Sequence, residues 1–123
     1  REFAVETGKA FSKTLSLHPS TYSHMISAVD FMLGPTFEVV ISGIRGKKDT
    51  AGMIKALQKE FLPNKVALFR PGDKDAPEIT SLAEFTKPKA MLDGRATAYV
   101  CSDYSCKSPT TDTEAMLKLL KTD

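Results

Sequence analysis

Residues able to carry chemistry unaided are scarce in this chain. Among 123 residues there are two histidines and two cysteines, and the first residue is not a methionine. His18 and His24 lie on and before a helical stretch with a spacing that does not share a helical face, and a structural zinc would need two ligands beyond the cysteine pair. There is no Ser-His-Asp order with a nucleophile elbow and no His-rich metal motif, so no catalytic residue, metal or cofactor is assigned from the residues. No apolar run approaches the roughly 20 residues that span a bilayer. A net charge of only +2 gives no reason to expect nucleic acid or an anionic membrane as partner. The opening "REFAVETGKAFSK" lacks a signal-peptide core; with no initiator Met and a helix already under way, it reads as part of a longer chain.

What is present is an ordinary globular composition, 41% hydrophobic and 26% charged, in a length that fits one domain with a modest core. Two cysteines and five methionines without a secretory signal fit a reducing cytosol, so a cytoplasmic location is expected.

The first third reads as a helical hairpin. Phe3, Thr7, Ala10, Phe11 and Leu15 recur at helical spacing until "LSLHPS" breaks the pattern. A second helix follows, with Ser20 as N-cap, a stripe from Tyr22 through Met25, Ile26, Val29, Met32 and Leu33, and Gly34-Pro35 as its stop. Beyond Pro35 the pattern changes. "FEVVISG" and "KVALF" are buried strands flanking a helix capped by Asp49, with Met53, Ile54, Leu57 and Phe61 on its inner face, which predicts a parallel βαβ unit. Residues 72–88 form a polar connection with one helical turn at "SLAEF", where Ser81 and Glu84 have capping-box spacing. "KAML" before Asp93-Gly94 offers a short hairpin partner, "DGRATAYVC" gives a third strand, and Thr111 with Glu114 caps a last helix whose apolar face is Ala115, Met116, Leu119 and Leu120. The expected class is α/β: a helical hairpin, then a small, mainly parallel three-stranded sheet with flanking helices.

Four stretches, "HPSTYSHMISAVDFMLGP", "EVVISG", "FLPNKVALFRP" and "DGRATAYVCSDYSCKSPTTD", together resemble the C-terminal end of the thioredoxin-domain-containing, spermatogenesis-associated thioredoxin-like protein family. Members of that family combine a thioredoxin-like domain, an (α/α) six-hairpin barrel similar to that of N-acylglucosamine 2-epimerases and some glycosidases, and a C-terminal extension. The resemblance implies that residues 1–34 are the last hairpin of the barrel and 35–123 a small α/β extension. It further implies that the chain braces or closes the barrel and has the rest of its own parent chain as partner, with an exposed hairpin as a surface for self-association. The chemistry expected of such a parent, thiol exchange or epimerase- or glycosidase-like sugar turnover, would use residues outside these positions.

Three stretches remain as candidate sites. Cys101 and Cys106 are separated by four residues, not the two of a thioredoxin centre, and the last helix begins too far on for its dipole to activate either thiol. Two structural thiols lead over a disulfide, a metal site or a redox couple; "SDYS" can bring the sulfurs together, with Cys101 buried at a strand end and Cys106 in a loop. The loop "SGIRGKKDT" carries Gly43, Arg45, Gly46, Lys47 and Lys48 into a helix start, a natural anion site and the basis of an alternative reading as a phosphate- or nucleotide-binding module. Its glycine spacing fits neither the P-loop nor the dinucleotide fingerprint. His18 and Tyr22 are candidates to face a barrel pocket, with helix-end packing the leading role. Asp73, Asp75 and Glu78 read as solvated loop carboxylates.

Overall fold

The computed structural model describes residues 2–75 and 77–121. Up to Thr36 the chain is helical: α1 spans Glu2–Leu17 and α2 spans Ser23–Leu33. These helices belong to one compact unit, Arg1–Thr36, and Phe37–Asp123 forms another.

In the first unit the expected hairpin forms. Gly8 of α1 faces α2, and a Cβ there would make ordinary van der Waals contact with Met32 Cε at 3.6 Å and Val29 Cγ2 at 3.8 Å. Leu15 is the buried residue of α1, and α2 has none. Residues 19–22 fold as turns, so α2 starts at Ser23 with Tyr22 rather than Ser20 at its N-cap and no side-chain cap bond. Gly34 closes α2 with φ 78° and donates its N–H to Asp30 O at 3.0 Å, a left-handed conformation that suits glycine.

The second unit is α/β, as the sequence pattern predicts. β1 (Phe37–Gly43) is followed by α3 (Lys48–Lys59) and β2 (Lys65–Pro71); α4 (Ile79–Leu82) and a 3-10 turn (Glu84–Thr86) lead to β3 (Thr97–Ser102), β4 (Ser105–Cys106) and α5 (Thr113–Leu119). The sheet order is β2-β1-β3-β4. β1 and β2 pair in parallel, with Val39 opposite Ala67, but β3 lies antiparallel on the other edge of β1, with Val100 opposite Val39. The sheet is therefore mixed and four-stranded rather than mainly parallel and three-stranded. The antiparallel strand follows from its connection: a crossover helix returns the chain parallel, whereas residues 72–96 bring β3 in from the opposite end. The fourth strand follows from a tight turn in which Asp103 and Tyr104 both take positive φ, 49° and 62°, as a two-residue hairpin requires. "KAML" forms no strand; only a single bridge, Leu92 to Arg95, closes the Asp93-Gly94 turn.

Alternation along β1 buries both faces of the sheet. Val39 and Ile41 join Ala98, Val100, Met53 and Leu57 of α3, and Met116 of α5 in the main core. Phe61, expected on the inner face of α3, lies beyond the helix end and is 91% exposed. Val40 and Ser42 point the other way and are also buried. There Ser42 Oγ donates to the carbonyl of Lys89, so the segment after α4 covers the second face.

Two further helix starts, like that of α2, are shifted by a residue or more from their expected caps. Lys47, not Asp49, occupies the N-cap position of α3. Asp112, not Thr111, caps α5, accepting from Ala115 N at 2.7 Å, because an aspartate carboxylate is at least as good an acceptor as a threonine hydroxyl. Ser81 lies inside α4 and donates to Glu78 O rather than pairing with Glu84.

Candidate functional site

The second face of the sheet gathers the reactive side chains of the unit. In β3, Thr97, Tyr99 and Cys101 share that face by alternation, and register sets Tyr99 opposite Val40 and Cys101 opposite Glu38. On the far side of β3, Cys101 faces Cys106 of β4. Lys107 N donates to Val100 O at 2.9 Å next to this pair, so the two cysteines occupy a non-hydrogen-bonded position, where opposed side chains lie closest. The structure joins them in a disulfide with a Cα separation of 3.9 Å. Cys101 is 2% exposed, as expected of a strand end, whereas Cys106 stands exposed in a strand rather than in a loop.

Lys89 completes the arrangement. It is only 7% exposed, and its Nζ donates to Cys106 Sγ at 3.0 Å. The same ammonium lies 5.3 Å from the centre of the Tyr99 ring and 5.8 Å from that of Phe85, two cation–π contacts of the kind that compensate lost hydration. Burial pulls the Lys89 pKa down, and the Glu38 carboxylate opposes it. The Tyr99 hydroxyl donates to Ala90 O at 2.6 Å; burial raises its pKa, and Arg70 pulls it back. Arg70, opposite Ser42 in β2, is 8% exposed and its buried Nε has no hydrogen-bond partner. Lys89 opens "KAML" and Arg70 lies in "FLPNKVALFRP", but the sequence pattern marks neither as a site residue. The alternation of β3 is the one signal that could have put Tyr99 beside Cys101.

The basic loop is built differently from a phosphate cradle. Gly43 ends β1 in a buried position, Gly46 turns the chain with φ 85°, and Lys47 and Lys48 enter α3. Arg45 places its guanidinium 5.5 Å above the Phe69 ring, beside a groove of about 570 Å³ lined also by Thr50, Ile54 and Lys55. The start of α3 already carries the protein's own anion. Asp49 Oδ1 accepts from Thr50 N at 2.7 Å, and its Oδ2 accepts from Ala96 N at 2.9 Å, tying the helix to the approach of β3.

Those two backbone bonds, the one from Ala96 first, hold the Asp49 carboxyl below the usual carboxylate range. A carboxyl depressed in the fold adds stability above its unfolded pKa of about 4, and that stability is lost as pH falls through the lower native value. Asp49→Asn keeps the Oδ1 acceptor and removes the charge. The stability gap between wild type and Asp49→Asn, read by urea unfolding, should be open at pH 7 and close below about pH 4. A gap that stays constant down to pH 2 would show that shape, not charge, makes this tie.

His18 and Tyr22 are both exposed, His18 just after α1 and Tyr22 at the N-cap of α2. Asp73, Asp75 and Glu78 are likewise exposed. Among the described residues no group of three His, Cys, Asp or Glu is placed to hold a metal ion, and no helix is long and apolar enough to cross a membrane.

No family model matches the sequence, and no solved structure matches it. Curated proteins do. Spermatogenesis-associated protein 20 of Homo sapiens is 31% identical over 111 residues, which is 90% of this chain and 14% of that protein. The proteins of the same name from Rattus norvegicus and Mus musculus are 27% and 26% identical over the same length. The chain thus spans about 14% of the length of the curated relatives it matches. Over that length it is homologous to spermatogenesis-associated protein 20.

Proposed function

We propose that this chain is the C-terminal part of a long multidomain protein, in which α1 and α2 form the last hairpin of an (α/α) barrel and the α/β unit braces it. On this reading its partner is the rest of its own chain, in the cytoplasm. Any epimerase- or glycosidase-like chemistry, and any chemistry of a separate thioredoxin-like domain, belongs to residues elsewhere in that chain. The observation that carries the proposal is the exposure of large apolar side chains on the hairpin. Phe3 is 91% exposed, Leu33 78% and Leu17 63%, far more apolar surface than two short helices leave open without a neighbour. The much greater length of the relatives supports the same reading.

Phe3→Asp tests it. In the isolated chain, a substitution at so exposed a site should change stability by no more than about 0.5 kcal/mol. In the full-length parent the same charge would be driven into a helix–helix interface and should cost about 2–4 kcal/mol, read as a lower unfolding midpoint. Equal, small effects in both would remove the barrel reading. Dimerisation of the isolated chain that Phe3→Asp abolishes, with no effect on the parent, would make the hairpin a self-association surface instead.

A further inference from the structure

We propose that Cys101 and Cys106 form a thiol–disulfide exchange site in which Cys106 is the exchanging sulfur and Lys89 stabilises it as the thiolate. Three independent features of the second face support this. The cysteines are held in direct cross-strand register by a two-residue turn, so the bond can open and close without moving the sheet. Their exposure is unequal: Cys101 is sealed under the strand while Cys106 is open to an incoming thiol. The third is the ammonium of Lys89, which touches the sulfur of the exposed cysteine at 3.0 Å.

A lysine buried only to pack against rings would have no need to reach a sulfur. Lys89 Nζ approaches no carboxylate within ion-pair distance among the described residues, and Glu38 acts on it only from further away. An ammonium partly stripped of water exerts a strong field on an atom 3.0 Å away, because little solvent screens it. Neutral disulfide sulfur uses that field poorly. A thiolate formed at Cys106 is the anion that fits it, and a cation beside a cysteine is the usual means of lowering a thiol pKa. Glu38 works against this as a like charge, and the neutral Tyr99 hydroxyl is engaged by Ala90. Lys89 is the nearer of the two charges.

The reaction takes a dithiol as its co-reactant. A thiolate of the dithiol attacks Cys106 Sγ; a bond forms between these sulfurs and the Cys101–Cys106 bond breaks. The electron pair leaves on Cys101 Sγ, which takes up a proton because its buried surroundings disfavour the anion. The second thiol of the co-reactant, deprotonated, then attacks its own first sulfur in the mixed disulfide, releasing Cys106 as a thiolate facing Lys89. Two electrons have passed to the cysteine pair and the co-reactant has become a disulfide. Oxidation runs the same steps backwards, with the Cys106 thiolate attacking a disulfide and Cys101 resolving the intermediate.

The test uses the full chain, equilibrated with dithiothreitol and then with glutathione over a range of reduced-to-oxidised ratios, trapped by alkylation and read by mass. The pair should pass from oxidised to reduced within the glutathione series; a pair that stays wholly oxidised or wholly reduced across it overturns the proposal. In the reduced protein, iodoacetamide should label Cys106 at least about tenfold faster than Cys101 at pH 7, as thiolate fraction and access both dictate. Lys89→Met should slow Cys106 labelling about tenfold, the effect of one pKa unit. Lys89→Arg, which keeps the cation, should restore most of the rate and also controls for a variant that fails to fold. Equal labelling of Cys106 in wild type and in a folded Lys89→Met protein would leave Lys89 a packing residue and defeat the assignment.

Discussion

Met53→Ala should cost the α/β unit about 2–5 kcal/mol, the range for emptying a fully buried methionine site. Met53 is 1% exposed and sits where α3 meets the sheet, among Val39, Ile41, Leu57 and Met116. Part of the loss is the transfer of its side chain out of an apolar setting, and the rest is the cavity its neighbours cannot fill, since the backbone of a paired strand has little room to collapse. Against a total stability of about 5–15 kcal/mol for a small domain, such a loss is severe. The urea midpoint should fall with little change in slope, because native and unfolded surfaces are nearly conserved. Phe61→Ala is the matched control. It removes a larger side chain, yet at 91% exposure it should move stability by no more than about 0.5 kcal/mol. If the two substitutions cost the same, the core has been assigned to the wrong face of α3.

That contrast marks where sequence reasoning holds and where it stops. Helical periodicity places Met53, Ile54, Leu57 and Phe61 together on paper, but periodicity runs on past the helix end, and here α3 finishes at Lys59. Lys65 helps to close that end, donating from Nζ to Glu60 O at 3.3 Å and Leu62 O at 3.1 Å, an interaction across a loop that no local pattern announces. The βαβ unit was legible because each of its three elements carries its own period. The direction of β3 was not legible, because it depends on the path of residues 72–96 over the sheet rather than on any property of "TAYVC". The fourth strand was hidden by its turn. Asp103 and Tyr104 adopt left-handed backbone without the Asn-Gly or Asp-Gly that usually advertises it. At the candidate site, Cys101 and Cys106 were visible as a pair, but Lys89 was not. It stands between Pro88 and Ala90 in a stretch with no periodicity, and tertiary contacts fix it above the sheet: its carbonyl accepts from Ser42 Oγ and its Nζ donates to Cys106 Sγ.

Gly43→Ala should destabilise the same unit by about 1–3 kcal/mol, the usual cost of overfilling a packed site, and Thr50→Ala should relieve much of that loss. Gly43 ends β1 directly beneath the first turn of α3. A Cβ at this position would overlap Thr50 Oγ1 outright and come within 2.7 Å of its Cγ2 and 3.1 Å of its Cβ. Thr50 has nowhere to go: it is 1% exposed, and Asp49 Oδ1 holds its backbone N–H at 2.7 Å. Gly43 is pinned as well, because its carbonyl accepts from Gly72 N at 2.8 Å where the two parallel strands end. The obstruction is therefore the side chain of Thr50, not the backbone, and the double variant decides it. Thr50→Ala alone should cost about 1 kcal/mol for the small void it leaves. In the Gly43→Ala background that void receives the new methyl, so the pair should be more stable than the sum of the single losses by about 1–2 kcal/mol. Urea unfolding of the wild type, both single variants and the double variant gives this coupling directly. Losses that add to within about 0.5 kcal/mol would mean that the strain of Gly43→Ala lies in the β1 backbone, and that α3 is not seated on β1 through this threonine.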